Sequence, residues 1–424
     1  MSAALGPVPS GPAPASASAA EIRSVPRIAI QAFCETREVA SIVEAAAGDR
    51  RMAKAHTKVQ MGGLAAAVEF YASAPTPNLV IVESQEERAG ILAQLDQLSE
   101  VCDPGSKVLV VGHVNDVILY RELTRRGVSE YLVAPFEVFD LIREISEIYV
   151  KPDAPPVGRA VAFVGAKGGC GASTVAHNVA WACARTFQND VLVADLDLAF
   201  GTAGLDFNLD PTQGIADALL APERVDDVYL DRLLAKCADH LSLLAAPATL
   251  DRTFDMDEKA LDPILDAAKS GVPLVMLDIP HLWSGWVKHA LRSADEVVVV
   301  AAPDLANLRN AKNMVDFLKQ SRPNDAPPRL VLNMQGLPKR PEIKPEEFAK
   351  SLELPLVATI PFDAHLFGTA SNNGQMIAET DPKSHVGEIF RTIAQVVTGR
   401  AEIKKAKKSP LAPLLARLRG GAAK

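Results

Sequence analysis

The stretch KGGCGAST, residues 167–174, concentrates residue types that can bind an anion. Backbone N–H groups exposed around Gly168, Gly169 and Gly171 can form an anion-binding nest, and a helix starting near Ser173 directs its positive end at the same point. The chemistry this suits is phosphate binding, with Ser173 placed to ligate Mg2+ and Thr174 to contact an α-phosphate. A loop of the pattern G-x-x-x-x-G-K-[ST] carries a lysine just before the hydroxyl residue, and here that slot is Ala172. Losing one charge-assisted contact weakens binding by about 1.5–3 kcal/mol, roughly 10- to 150-fold, so ATP binding should survive. Hydrolysis is more exposed, because a missing cation can slow phosphoryl transfer by about 10³–10⁵-fold. Cys170 fills the small position of the loop. It reads either as a small hydrophobe or as a thiol activated by the helix N-terminus.

The loop sits between an apolar run, RAVAFVG, and a helical segment. Six further runs of the same kind follow: DVLVADLD, HLSLLAAP, VPLVMLDIP, EVVVVAAP, PRLVLNM and LPLVATIP. Seven buried strands separated by helical stretches predict a doubly wound, mostly parallel sheet over residues 159–398. Upstream, RIAIQAF, PNLVIVE, SKVLVVG and SEYLVAP alternate with helix-like segments and predict a smaller α/β domain over 26–150. KPDAPPVG at 151–158 reads as a linker. Residues 1–25 are Pro-, Ala- and Ser-rich and read as a disordered tail, and 399–424 as a basic, leucine-containing tail.

The 424 residues suit two domains. A net charge of −8 does not favour a nucleic-acid partner. Five scattered cysteines without a C-x-x-C pair fit a reducing cytoplasm. The N-terminus lacks the pattern of a secretory signal, and no run reaches the ~18 apolar residues of a membrane span.

The larger domain resembles the MinD/ParA group of deviant Walker ATPases, whose loop reads K-G-G-x-G-K-[ST]-[ST]; KGGCGAST departs from it at Ala172. The resemblance implies a P-loop NTPase fold and a homodimer that sandwiches ATP, with Gly168, Gly169, Cys170, Gly171, Ala172, Ser173 and Thr174 around the phosphates. It implies that Lys167 reaches the partner's phosphates and that Asp195 and Asp197 of VADLD form the first switch, Asp197 orienting the attacking water. Asp278 of VMLDIP takes the Walker B position, so Ser173, Asp195 and Asp278 support Mg2+, partly through water. Asn333 of LVLNM is implied at the adenine edge, with Pro361 and Asp363 near base or ribose. In HLWSGWVKHAL the residues Trp283, Trp286, Val287, Ala290 and Leu291 fall at helical spacing, which reads as core packing or as a partner-binding switch surface; His281 reads as a bystander.

The smaller domain resembles a response-regulator receiver of flavodoxin-like fold, with its chemistry lost. The family's acidic pair falls on Gln31 and Ala32, its phosphoacceptor aspartate on Glu83, and its lysine on Ala134. A degenerate receiver ahead of a MinD/ParA-like domain, with GAKGGCGAST and LDIPH, resembles the CpaE/TadZ family. That implies a cytoplasmic localisation factor for Flp-type (tight adherence) pili, acting on pilus secretion components and often polar, with weak ATPase activity. The competing class is a ParA-type DNA-segregation ATPase. Lys404, Lys405, Lys407 and Lys408, followed by Leu411, Leu414, Leu415 and Leu418, suit peripheral contact with the inner membrane or a docking tail without a lipid role.

Overall fold

A computed structural model describes residues 22–150, 157–250, 253–254 and 256–400; most of the expected N-terminal tail, of the linker and of the basic C-terminal segment lies outside these residues. The described residues fall into two compact units, the first holding 22–150 together with Arg322–Asp325 and the second the remainder.

The first unit is a five-stranded sheet built from β1 (Ala29–Cys34), β2 (His56–Met61), β3 (Leu79–Ser84), β4 (Lys107–Gly112) and β5 (Glu130–Val133). Its order is β2-β1-β3-β4-β5 and all pairs are parallel. This is the flavodoxin-like doubly wound order. Alternating side chains feed two cores: Leu79 and Ile81 of β3 join one, Val80 and Val82 the other. A central strand covered on both faces must be apolar throughout, which is why LVIVES stood out. β2, HTKVQM, is half to fully exposed along its length, so its polar edge gave no such signal. Ile22 and Val25 are buried in the first of these cores, so packing begins ahead of the expected boundary at residue 26.

The apolar run of β3 ends on a carboxylate. Glu83 is fully buried. Its Oε2 accepts the N–H groups of Glu35 (2.7 Å) and Thr36 (2.9 Å), and its Oε1 accepts the Thr36 hydroxyl (2.8 Å) and lies 3.0 Å from His113 Nε2. Gln31 and Ala32, assigned from the sequence to the acidic pair, lie mid-strand in β1. The residues next to Glu83 are instead Glu35 and Thr36, beyond the strand's end.

The second unit contains β6 (Arg159–Gly165), β7 (Val191–Asp195), β8 (Ala235–Ala238), β9 (Leu241–Leu244), β10 (Leu274–Ile279), β11 (Glu296–Ala301), β12 (Arg329–Gln335) and β13 (Leu356–Pro361). They form one sheet in the order β13-β12-β11-β6-β10-β7-β9-β8. The seven expected strands are all present. The eighth, β8, is a short antiparallel edge strand against β9 whose side chains stay half-exposed or exposed. β6 feeds Ala160, Ala162 and Val164 into one core and Val161 and Phe163 into the other. From β6 the chain builds outward first on one side, through β7, and later on the other, through β11. The carboxyl end of β6 is therefore a switch point, where doubly wound sheets open a crevice for ligands.

All three tryptophans, Trp181, Trp283 and Trp286, belong to the second unit. Glu83→Ala leaves buried donors without an acceptor and should cost about 2–4 kcal/mol. In denaturation of the full chain the far-UV circular dichroism midpoint should fall while the tryptophan-fluorescence midpoint holds. An unchanged dichroism curve would refute the role given to Glu83.

Candidate phosphate-binding site

The glycine loop leaves β6 and enters the helix Ala172–Phe187, whose N-cap Gly171 is left-handed at φ +84°. Val175, Ala176, Val179, Ala180 and Cys183 on this helix are buried, the periodic apolar face that fixes it on the sheet. The first turn of a helix has amides with no partner inside it, and Ala172, Ser173 and Thr174 supply that turn at the switch point. Gly169 is also left-handed (φ +78°), and a Cβ there would meet nothing within 4 Å, so this side of the turn is open. At Gly171 a Cβ would fall 2.4 Å from Asn333 Nδ2, so only glycine fits.

Cys170 is buried; its N–H donates to the Lys167 carbonyl (3.2 Å) and its Sγ donates to the Val300 carbonyl (3.3 Å). Burial pushes its thiol up from the ordinary range against the pull of nearby backbone amides. The small-hydrophobe reading of Cys170 is the one this geometry supports. Ala166 occupies the first glycine position of the P-loop pattern, a second departure. It is buried with its N–H on Val300 O (2.8 Å) and its carbonyl accepting from Asn310 Nδ2 (2.9 Å).

Asp195 and Asp278 end neighbouring strands in register, β7 and β10. They are 1% and 4% exposed. Burial, and then the nearby Asp278, raise Asp195 to about 6, against the opposing pull of His177 and two backbone N–H groups. Asp195 Oδ1 accepts the Asp197 N–H (3.1 Å) and Oδ2 the Ala203 N–H (3.0 Å). Asp197 is half-buried, its Oδ1 accepting the Phe200 N–H at 3.0 Å. Gly201 packs so closely that a Cβ would lie 2.4 Å from Asp195 Oδ2.

His177 was not anticipated. It lies on the loop's own helix, fully buried, with Nδ1 2.7 Å from Asp206 Oδ2 and Nε2 3.2 Å from Asp278 Oδ2. The second contact is an ion-pair approach lacking good hydrogen-bond alignment, as Nε2 has no hydrogen-bond partner. Burial alone would lower its pKa, but the two carboxylates outweigh burial and hold it up at about 10. The available signal was two adjacent polar residues, His177 and Asn178, both buried between Ala176 and Val179.

Other expected residues take different places. Asn333 is 5% exposed; its Nδ2 donates to the Cys170 carbonyl (2.9 Å) and its Oδ1 accepts the Met334 N–H, so it braces the loop. Pro361 closes β13, and exposed Asp363 caps the helix Ala364–Asn373 by accepting the Leu366 N–H at 2.9 Å. Lys167 is exposed. Burial opposes it, yet Asn307's amides, with Lys167 and Arg340 nearby, keep the Asp304 carboxyl below its usual range. His281, read as a bystander, touches the site's base, with Nδ1 3.0 Å from the Gly165 carbonyl. Trp286, Val287, Ala290 and Leu291 are buried on the helix Gly285–Ser293, as core packing requires. Trp283 precedes that helix, is 45% exposed and meets Phe317 edge-on at 5.2 Å. It borders a groove of about 390 Å3 with Ala166, His281, Leu282, Asn310 and Asn313.

The open glycine turn, the helix start and the hydroxyls of Ser173 and Thr174 suit a phosphate group. The carboxylates of Asp195 and Asp278 suit a hydrated divalent cation, and among the described residues no cluster of three metal-ligating side chains exists. The residues present fit a magnesium nucleotide held largely by backbone and water.

The second unit has the α/β, parallel-sheet fold of MinD/ParA-like P-loop NTPases. A family model described as an AAA domain matches residues 158–327. The chain is 28% identical over 255 residues to septum site-determining protein MinD of Bacillus subtilis (strain 168), covering 58% of this chain and 91% of that one. A ParA family ATPase of Chlorobium tepidum TLS is 25% identical, over 56% of this chain and 98% of that one, at a TM-score of 0.51. A pilus assembly protein CpaE of Caulobacter crescentus CB15 is 51% identical over 30% of this chain, in its N-terminal region, and 98% of that one, at a TM-score of 0.30.

Gly171→Ala should cost about 1–3 kcal/mol of second-unit stability by left-handed strain and collision with Asn333, read from the tryptophan-fluorescence midpoint. No shift would mean the loop has another shape. At pH 7.5 the native chain should leave Cys170 unlabelled by N-ethylmaleimide over a time in which urea-unfolded chain labels fully. Fast native labelling, located by peptide mapping, would overturn the inert-thiol assignment.

Proposed function

We propose that the chain binds Mg-ATP at the 167–174 loop, dimerises through it and turns it over slowly, serving as a localisation and assembly factor for Flp-type pili. The carrying observation is the open turn at Gly169 joined to a helix start at the sheet's switch point, beside the buried pair Asp195 and Asp278. In this reading the backbone amides from Gly168 to Thr174 hold the phosphates and Ser173 takes a place on Mg2+. Asp278 and Asp195 orient the metal's waters, and Asp197 positions the attacking water. When bound, Mg2+ supplies charge neutralisation of the triphosphate. Lys167, exposed on the loop, supplies across the dimer the cation absent at Ala172. Asn333 acts first as a brace for Cys170 and Gly171, with its remaining N–H turned to adenine's edge, and Pro361 and Asp363 flank base or ribose.

The partner class comes from the motifs GAKGGCGAST and LDIPH, and from the name of the Caulobacter crescentus neighbour that is 51% identical. The first unit then serves as a degenerate receiver that docks partners, its Glu83 engaged by Glu35 and Thr36 and unsuited to phosphate transfer. The chain works in the cytoplasm, at a pole or against the inner membrane. Among the described residues no helix is long and apolar enough to cross a membrane.

Equilibrium dialysis should detect Mg-ATP binding, and light scattering should show the mass doubling with Mg-ATP. Lys167→Ala should keep binding within the 10- to 150-fold loss of one charge-assisted contact while reducing the dimer. Absence of Mg-ATP binding by the wild type would sink the reading.

A further inference from the structure

One short helix is tied to the two buried carboxylates of the site, at its start directly and at its end through His177. Ala203–Asp206 follows the VADLD segment; its first amide, Ala203 N–H, donates to Asp195 Oδ2 (3.0 Å). Its last residue, Asp206, meets His177 Nδ1 at 2.7 Å, and the opposite ring nitrogen lies 3.2 Å from Asp278 Oδ2. Phe207 packs on the same imidazole, ring centres 5.5 Å apart. The segment so held presents Phe200 and Leu205 to solvent, 73% and 71% exposed.

We infer that His177 is a positioning residue that couples the carboxylate of Asp278 to the 203–207 segment, so that occupancy of the phosphate site is passed to the Phe200–Leu205 surface. The inference rests on the nucleotide-binding reading. Physically, an imidazole is a rigid rod with a polar atom at each end, and a helix buried against the sheet fixes its position. Drawing Asp278 toward a cation on the loop removes one of its two partners, leaving Asp206 to hold the ring alone. Asp195, which grips the other end of the segment, is the adjacent member of the same carboxylate pair, so both tethers of 203–206 respond to one event. A ring that only filled space would need a carboxylate near neither nitrogen.

Side-chain geometry separates the two contacts. Glutamine places its amide where Nε2 lies and keeps the approach to Asp278; asparagine places its amide where Nδ1 lies and keeps Asp206. The test is hydrogen exchange of the 202–209 peptide in full-length chain, with and without Mg-ATPγS, for wild type, His177→Asn, His177→Gln and Asp206→Asn. In the wild type Mg-ATPγS should change exchange about fivefold or more, and in the three variants less than about twofold, with affinity by dialysis kept within about fivefold. Without nucleotide, His177→Gln and Asp206→Asn should raise exchange at least about fivefold, while His177→Asn stays near wild type. Variants that bind Mg-ATPγS and retain the wild-type exchange response would overturn the coupling. If the wild type binds no nucleotide, the proposed function fails by itself. The ligand-free comparison then decides the linkage, and equal exchange in His177→Gln and His177→Asn overturns it.

Discussion

Two carboxylates buried side by side are the constraint around which the second unit is arranged. Asp195 and Asp278 end adjacent parallel strands in register and are almost wholly removed from water. Unpaired buried charge is among the most costly things a fold can contain, and such groups persist only when paired and hydrogen-bonded. Asp195 is met by two backbone N–H groups and Asp278 by His177. Each compensation fixes a piece of chain: the turn at Asp197, the start of the helix Ala203–Asp206, and the helix Ala172–Phe187 that carries the glycine loop. Electrostatic necessity thus positions the loop, the acidic strand ends and the segment between them relative to one another.

The same necessity bears on the lysine missing at residue 172. A cation at that slot would stand near a site that already contains the imidazole of His177, which Asp206 and Asp278 hold toward its charged form. His177 lies five residues further along the helix and meets Asp206 and Asp278, so it bears on the acidic pair and does not replace a phosphate-binding lysine. The loop's shape is kept by other means. Asn333 ties down Cys170, Asn310 ties down Ala166, and His281 ties the segment after β10 to Gly165. These cross-braces come from β12, from the segment after β10 and from a neighbouring helix, which makes the loop a rigid feature at the carboxyl end of the sheet.

Much of this was legible in the residues. The central strands announced themselves because strands covered on both faces are continuously apolar, and the glycine loop because left-handed turns need glycine. Two of the edge strands were not legible: HTKVQM and the short β8 have too little covered surface to require an apolar pattern. His177 was missed because a motif directs attention to its own positions, and this residue stands three beyond Thr174. Asn333 fell where the motif placed it but spends its contacts on the loop itself. Trp283 and Trp286 sit three apart, as helix neighbours do, yet the helix begins at Gly285, so one is buried and the other is not.

The first unit shows the same physics with a different outcome. Glu83 also ends a buried strand and is also fully removed from water, but its carboxylate is engaged by donors from within the unit: two amides, a hydroxyl and an imidazole. Nothing further is needed to balance it. Asp195 and Asp278, in contrast, stand side by side on adjacent strands and are met only by two backbone amides and one imidazole. The two strand ends therefore differ in what they can do: a carboxylate closed in by its own chain is a fixed structural element, whereas a side-by-side pair with shared compensation can respond to a ligand. That difference, more than the shared α/β architecture, separates the two units.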